Sequence, residues 1–315
     1  MKLALFTIVA IATLLVLLEI GLRVFFGFGN PLLYMADDQI GYLLAPNQDV
    51  QRFGKRITIN AYCMRSPALT KERSPNSLRI FLIGDSVANG GWWTDQRDTI
   101  STKMEQQLQS FLPGTSLDRV EVLNASANSW GPRNELAYLK RFGTFESQMV
   151  VLLINTDDLF ATTPTSVQVG RDRNYPNRKP PLALVEVFTR YVLPPVKIPE
   201  LEAIQAEGGD RVGANLEAIR QIKTLLHQAN AQLILGMTPL LRETGTAGPR
   251  DYEIKARQRL TDFTREEHIP YVDFLPIFNA ADPKTLYHDH IHLNPTGNQL
   301  VSENVTQALK HLLEE

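Results

Sequence analysis

Apolar positions along the chain fall into three patterns, and each predicts a different kind of element. The first opens the sequence. Leu3 to Leu18 carries no charge, and after Glu19 and Arg23 the chain from Val24 to Phe28 is apolar again. This stretch of 26 residues, Leu3 to Phe28, exceeds the roughly 20 needed to cross a hydrocarbon core. It has no polar face, so it predicts a transmembrane helix rather than a core helix. The second pattern is a set of short apolar runs of strand length: Leu78 to Ile83, Val120 to Leu123, Met149 to Ile154, Gln232 to Leu235 and Tyr271 to Phe274. The third places apolar residues at three- and four-residue intervals over Arg133 to Phe142, Val212 to Gln228, Asp251 to Glu267 and Gly297 to Leu313, which predicts helices. Strands alternating with helices predict an α/β fold: a flavodoxin-like three-layer sandwich with a central parallel sheet. Function is then expected at the carboxyl ends of the strands.

Two stretches fall outside this alternation. Residues 29–76 hold Gly41 to Asn47 and the alternating Arg56-Ile57-Thr58-Ile59-Asn60, read as short strands and turns, then the turn-rich Met64 to Pro67 and Lys71 to Pro75. They are expected to form an extended N-terminal appendage and linker between the anchor, residues 1–28, and a catalytic domain over 77–315. Within that domain, residues from about 160 to 200 form an insertion rich in proline and in cations, among them Arg171, Arg173, Arg178 and Lys179. Because it follows a strand end, it is placed to act as a lid or binding loop over the substrate mouth, the alternative being a solvated loop without a role.

With 43% hydrophobic residues in 315 and a net charge of −2, the chain can bury a full core and carries no electrostatic signature of a nucleic-acid partner. One cysteine, Cys63, excludes an intramolecular disulfide framework and a multi-cysteine metal site. No small-residue cleavage site follows the N-terminal apolar run, which favours a retained anchor over a removed signal. Glu19 and Arg23, four apart, can pair on the helix. Lys2 argues for an inside N-terminus, so the domain is expected on the extracytoplasmic side of a single-pass membrane protein.

The chemistry concentrates at two places. The run ending at Ile83 breaks into Gly84-Asp85-Ser86, which sets one hydroxyl at the mouth of a sheet; more than 200 residues later comes Tyr287-His288-Asp289-His290-Ile291-His292-Leu293-Asn294-Pro295-Thr296-Gly297. A serine needs a base to take its proton, and the base needs a third group to fix its tautomer. His292 and Asp289 fit those roles. Two other readings stand beside this one. Ser86 could be only a helix N-cap, and His288, His290 and His292 would share one side of a strand, where with Asp289 they could hold zinc.

In order and spacing these segments resemble the SGNH/GDSL hydrolases, whose marks are Gly-Asp-Ser near the start of the domain and Asp-x-x-His near its end. The resemblance spans about residues 78 to 312. It implies Ser86 as nucleophile, His292 as base and Asp289 as its orienting acid, with no metal or organic cofactor. It further implies an oxyanion hole built from the backbone N–H groups of Ser86 and of Ser126, which stands where the family has glycine. The family's Gly-x-Asn-Asp block corresponds to Asn155-Thr156-Asp157-Asp158, so Asp157 replaces the asparagine donor. An ionised carboxylate cannot donate, so Asp157 must be protonated, turned away, or replaced in function by Asn155 or Asn128. The expected activity is a serine esterase or acetylhydrolase acting on an ester, with O-acetyl groups of a cell-envelope or extracellular glycan as the substrate class. An O-acetyltransferase using the same triad and a non-catalytic glycan-binding module on a degenerate hydrolase fold are the alternatives. Trp92 and Trp93, after Gly90-Gly91, could stack on a sugar face or pack inside.

Overall fold

The computed structural model describes residues 1–112 and 117–314. Five parallel strands make the central sheet: β5 (Ser77–Gly84), β6 (Arg119–Ser126), β7 (Met149–Asn155), β8 (Gln232–Thr238) and β9 (Tyr271–Asp273). Their order is β6-β5-β7-β8-β9. The chain steps from β5 to one side and then returns to the other, so the two crossovers diverge beyond the ends of β5 and β7. That divergence leaves a crevice in which flavodoxin-like sheets bind their ligands.

β5 and β7 are buried along their whole lengths, as strands covered on both faces must be. Alternate residues serve opposite layers. Phe81, Ile83, Val150, Leu152 and Leu235 join one core, together with α4 (Pro132–Phe142), α7 (Arg211–Gln228) and α8 (Asp251–Glu266). Ile80, Leu82, Val151, Leu153 and Ile234 join the other, with α3 (Ile100–Gln109), α9 (Phe274–Ala280) and α10 (Pro295–Glu314). This is the three-layer α/β sandwich that the alternation predicts.

The differences are local. α3 lies outside the predicted helices although Ile100, Met104 and Leu108 recur every four residues, because the residues between them are uniformly polar; Thr99 caps it by accepting from the Thr102 N–H at 3.3 Å. Phe274, expected in a strand, opens α9 instead, since the Asp273 carboxylate accepts from the Leu275 N–H at 3.0 Å and starts the helix there.

Residues 34–64 do not hang free of the sandwich. β1 (Tyr34–Asp37) pairs with β2 (Gly41–Leu44), and β3 (Gln48–Arg52) pairs with β4 (Lys55–Ile59), each antiparallel. Tyr42, Leu43, Val50, Ile57, Ile59 and Met64 are buried in the same core as α4 and α7. Just beyond, the Arg65 N–H donates to Asn124 O at 2.8 Å and the Ser66 hydroxyl accepts from the Asn124 N–H at 2.9 Å. These bonds cover the outer edge of β6, which would otherwise present unpaired backbone.

α1 (Lys2–Phe26) has no buried residue and is long and apolar enough to be a membrane span or a signal anchor. The insertion holds α5 (Ala183–Val187), continued by a wider helical turn over Phe188–Val192, and leads into α6 (Pro199–Gln205). α5 packs against α1.

Candidate active site

Ser86 occupies the first position of α2 (Ser86–Asn89), directly after β5. The turn depends on Gly84, because a Cβ there would lie 2.2 Å from Leu153 O of the neighbouring strand. Asp85 caps the short helix by accepting from the Val87 N–H at 2.8 Å. At the first helical position the Ser86 N–H is one of the donors that a helix leaves without an internal partner.

The second segment is not a strand. Tyr287 bridges Leu293 antiparallel, and the His288 N–H donates to His292 O at 2.7 Å, so residues 287–293 close into a tight turn. Asn294 then accepts from the Thr296 and Gly297 N–H groups at 2.9 and 3.1 Å and starts α10. This turn brings Asp289 back onto His292: Asp289 Oδ2 lies 2.7 Å from His292 Nδ1, while Oδ1 accepts from the N–H groups of Ile291 and His292 at 2.9 and 2.8 Å. Partial burial opposes ionisation of Asp289, but the hydrogen bonds from the His292 ring and from these two backbone groups outweigh it, leaving the carboxyl below its usual range. His292 Nε2 lies 2.9 Å from Ser86 Oγ. The imidazole is thus held by a carboxylate on one side and faces a hydroxyl on the other.

The histidine metal reading fails on this geometry. His288 stacks on Trp93, with planes 4° apart and centroids at 5.1 Å, while His290 is exposed and His292 faces Ser86. The three rings diverge because a turn, unlike a strand, does not put alternate residues on one side. Among the described residues no group of three metal-ligating side chains converges.

Ser86 and His292 lie in a cavity of about 580 Å³. Asn89, Trp92, Trp93 and Asn128 from the sandwich line it, together with Arg52, Phe53 and Ile57 from the N-terminal hairpins and Arg173, Tyr175, Arg190 and Tyr191 from the insertion. Trp93 lies against the His292 ring at 4.5 Å between centroids, and Trp92 stands half-exposed against Phe53 at 5.0 Å.

The oxyanion candidates separate. Asn128 lines the cavity beside Ser86. Ser126 sits behind it, buried, its hydroxyl donating to Asn124 Oδ1 at 2.6 Å. Asp157 is exposed and does not line the cavity. Asn155 is spent elsewhere: its amide donates to Asp85 Oδ2 at 2.7 Å and Asp158 Oδ2 at 3.0 Å, so both of its hydrogens are engaged and it has none for an oxyanion. Asp85, Asp158 and Glu135 form a buried acidic layer under the site. Burial pushes all three carboxyls up, well above the ordinary range for Asp158 and Glu135; Asp85 raises both of those further, and Glu135 raises Asp158.

The sequence from 82 to 300 matches the family described as GDSL-like lipase/acylhydrolase. The chain belongs to that family. By that membership it is a carboxylic ester hydrolase. Several solved structures are similar to this chain. The acetyl xylan esterase AlAXEase is 13% identical, with a TM-score of 0.50, covering 73% of this chain and 99% of its own. A catalytic mutant of an acetylxylan esterase from Geobacillus stearothermophilus is 13% identical at a TM-score of 0.49, covering 76% and 96%. A lipolytic G-D-S-L family protein from Veillonella parvula is 13% identical at 0.45, covering 73% and 97%. The search of curated proteins finds no match.

Relative to the GDSL pattern, the cavity wall is where residue-by-residue reading falls short. Arg65, placed by its neighbours in a turn-rich link, is fully buried and donates to the carbonyls of Asn89 and Gly91, both at 2.6 Å, and of Thr94 at 2.5 Å. It fixes the loop that carries Trp92 and Trp93. Arg52, which lines the cavity, pairs with the buried Glu186 at 2.6 Å, joining the hairpins to the insertion. Neither residue stands in a motif; the one available signal is that Glu186 is a charge between two valines, Val185 and Val187.

Proposed function

We propose that this GDSL hydrolase is a serine esterase that removes O-acetyl groups from a cell-envelope or extracellular glycan, with Ser86 as nucleophile, His292 as general base and Asp289 as the group that orients it. The observation that carries the reading is the pair of contacts about His292, 2.9 Å to Ser86 Oγ and 2.7 Å to Asp289, on the floor of an open cavity. Ser86 Oγ attacks the acyl carbonyl as its proton passes to His292 Nε2. Asp289 keeps Nδ1 protonated and stabilises the imidazolium. The Ser86 N–H at the start of α2 and the amide of Asn128, which lines the same cavity, serve as the donors to the developing oxyanion in this reading. As the tetrahedral adduct collapses, His292 returns the proton to the departing sugar hydroxyl. It then takes one from water, whose attack on the acyl-serine releases acetate.

Glycan as the carrier is supported by the rim. Trp92, Tyr175 and Tyr191 offer flat faces on which a pyranose ring packs, and Arg173 and Arg190 add donors beside them. The long apolar N-terminal helix, with the basic Lys2 ahead of its run, supports a domain held on the extracytoplasmic side.

The test is acetate release from acetylated oligosaccharides by the full chain and by Ser86→Ala and His292→Ala. Losses on the order of 10⁴ or more in kcat are expected for each. More than a tenth of the activity left in either variant would overturn the mechanism, and transfer to added oligosaccharide exceeding free acetate would replace hydrolysis by transfer.

A further inference from the structure

The insertion walls the Ser86 cavity on one side, and its outer surface is unlike that of the rest of the domain. Leu182, Val185, Phe188, Val192, Leu193 and Val196 are between 37% and 67% exposed. On the opposite side of the same segment Ala183 and Glu186 are buried, so the apolar residues form one face. Beside that face lies a second cavity, of about 720 Å³, lined wholly by the insertion and including Arg171, Arg173, Arg178 and Lys179 against a single acid, Asp172. Arg178 and Lys179 are exposed and make no ion pair among the described residues. An apolar face bordered by cations is the pattern of a segment that lies in a membrane interface.

The position of this segment along α1 decides what covers it. The Glu19 carboxylate accepts from the N–H groups of Ala183 and Leu184 at 2.8 and 2.9 Å, and Arg23, paired with Glu19 at 2.6 Å, also donates to Pro181 O at 3.2 Å. The first turn of α5 is thereby fastened to one height on α1. At about 1.5 Å per residue, Glu19 stands roughly 24 Å beyond Leu3, within a few ångströms of the far boundary of a hydrocarbon core about 30 Å thick. Where α1 crosses a bilayer, the insertion is therefore carried to the level of the headgroups. Aromatic contacts continue from there to the active site. Phe26 meets Phe53 at 5.8 Å, Phe53 meets Trp92 at 5.0 Å, and Phe28 meets Tyr191 at 6.1 Å.

We propose that the insertion is a membrane-seated platform: its apolar face from Leu182 to Val196 dips into the bilayer interface, and Arg178 and Lys179 engage anionic phospholipid headgroups. The platform holds the mouth of the Ser86 cavity at the bilayer surface, so the ester it receives is one presented there. This last consequence rests on the esterase reading; the docking does not.

Val192→Cys labelled with a polarity-sensitive fluorophore tests it in the full chain, reconstituted in phosphatidylcholine vesicles with and without phosphatidylglycerol. Cys63 is buried and its thiol is pushed up to about 11 by that burial, so it stays unlabelled. The expected result is blue-shifted emission, quenched by lipid brominated near the glycerol, at Val192→Cys and equally at Val196→Cys. No such shift is expected at Gln307→Cys, an exposed position on α10. Adding Arg178→Glu and Lys179→Glu should lower the docked-to-undocked ratio on the order of tenfold or more, and only where phosphatidylglycerol is present. Probes at 192 and 196 that read water as Gln307→Cys does, or that report a dry site without lipid quenching, as a protein partner would give, overturn the proposal. Charge reversal without effect overturns its electrostatic part. Turnover plays no part in the readout, so loss of the esterase reading would show separately.

Discussion

Glu186→Ala is expected to loosen the wall of the Ser86 cavity before anything else. In the intact protein the Glu186 carboxylate receives Arg52 Nη2 at 2.6 Å, Arg52 Nη1 at 3.2 Å and the Gly29 N–H at 2.7 Å, with both side chains more than nine-tenths buried. Arg52 also lies over the Phe28 ring at 4.3 Å and donates to Gly27 O at 3.0 Å, so it cannot swing out to water without breaking those contacts. Removing one partner of such a pair strands the other charge, which costs about 3–5 kcal/mol. At about 2–4 °C per kcal/mol in a domain of this size, the melting temperature should fall by roughly 6–20 °C. Replacing both residues, Arg52→Leu with Glu186→Leu, removes the stranded Arg52 charge and should recover part of that loss, since Arg190, 3.5 Å from Glu186, still loses its partner. Thermal unfolding followed by circular dichroism measures both variants. A shift below about 2 °C for Glu186→Ala, or a double variant less stable than the single one, would refute the reasoning, because either result means that water reaches the pair.

Other outcomes follow from the site and its foundation. Glu135 is fully buried and neither carboxylate oxygen has a hydrogen-bond partner among the described residues. Burial raises its pKa well above the ordinary value, so its contribution to stability is complete below about pH 4, where the unfolded carboxyl also binds its proton, and is lost as pH rises toward the raised value. Denaturant unfolding across pH should therefore show Glu135→Gln less sensitive to alkali than the parent; an identical slope would contradict the assignment. Asn128→Ala should lower kcat about 10²- to 10³-fold by removing an oxyanion donor, with KM nearly unchanged in steady-state kinetics, whereas Asn155→Ala should lower stability by uncovering Asp85 and Asp158. Asp289→Ala should be milder than His292→Ala, because Asp289 orients the base without reacting; equal losses in kcat would show that it does more.

Strand and helix positions in the sandwich were legible because burial on both faces forces continuous apolar runs such as Leu78 to Ile83, and because the helices carry their apolar residues at helical intervals. Ser86, Asp289 and His292 stood out for a different reason: the turn before Ser86 demands glycine, as the 2.2 Å approach at Gly84 shows, and a short Asp-to-His spacing suits the turn that brings Asp289 onto His292. What the sequence hid is contact between distant segments. The short strands from Tyr34 to Ile59 look like an appendage when read alone, and only packing shows Ile57 and Phe53 against the cavity. Arg52 and Glu186, 134 residues apart, carry no local mark of their pairing. Asn155 looked free to donate until Asp85 and Asp158 were found on its amide.

Covalent labelling tests the central claim most directly. The full chain, treated with a fluorophosphonate and digested, should carry one phosphonyl adduct, on Ser86, and His292→Ala should lose it because the hydroxyl then has no base. Ester turnover that persists with no adduct on Ser86, or an adduct that forms as fast in His292→Ala as in the parent, would contradict the account.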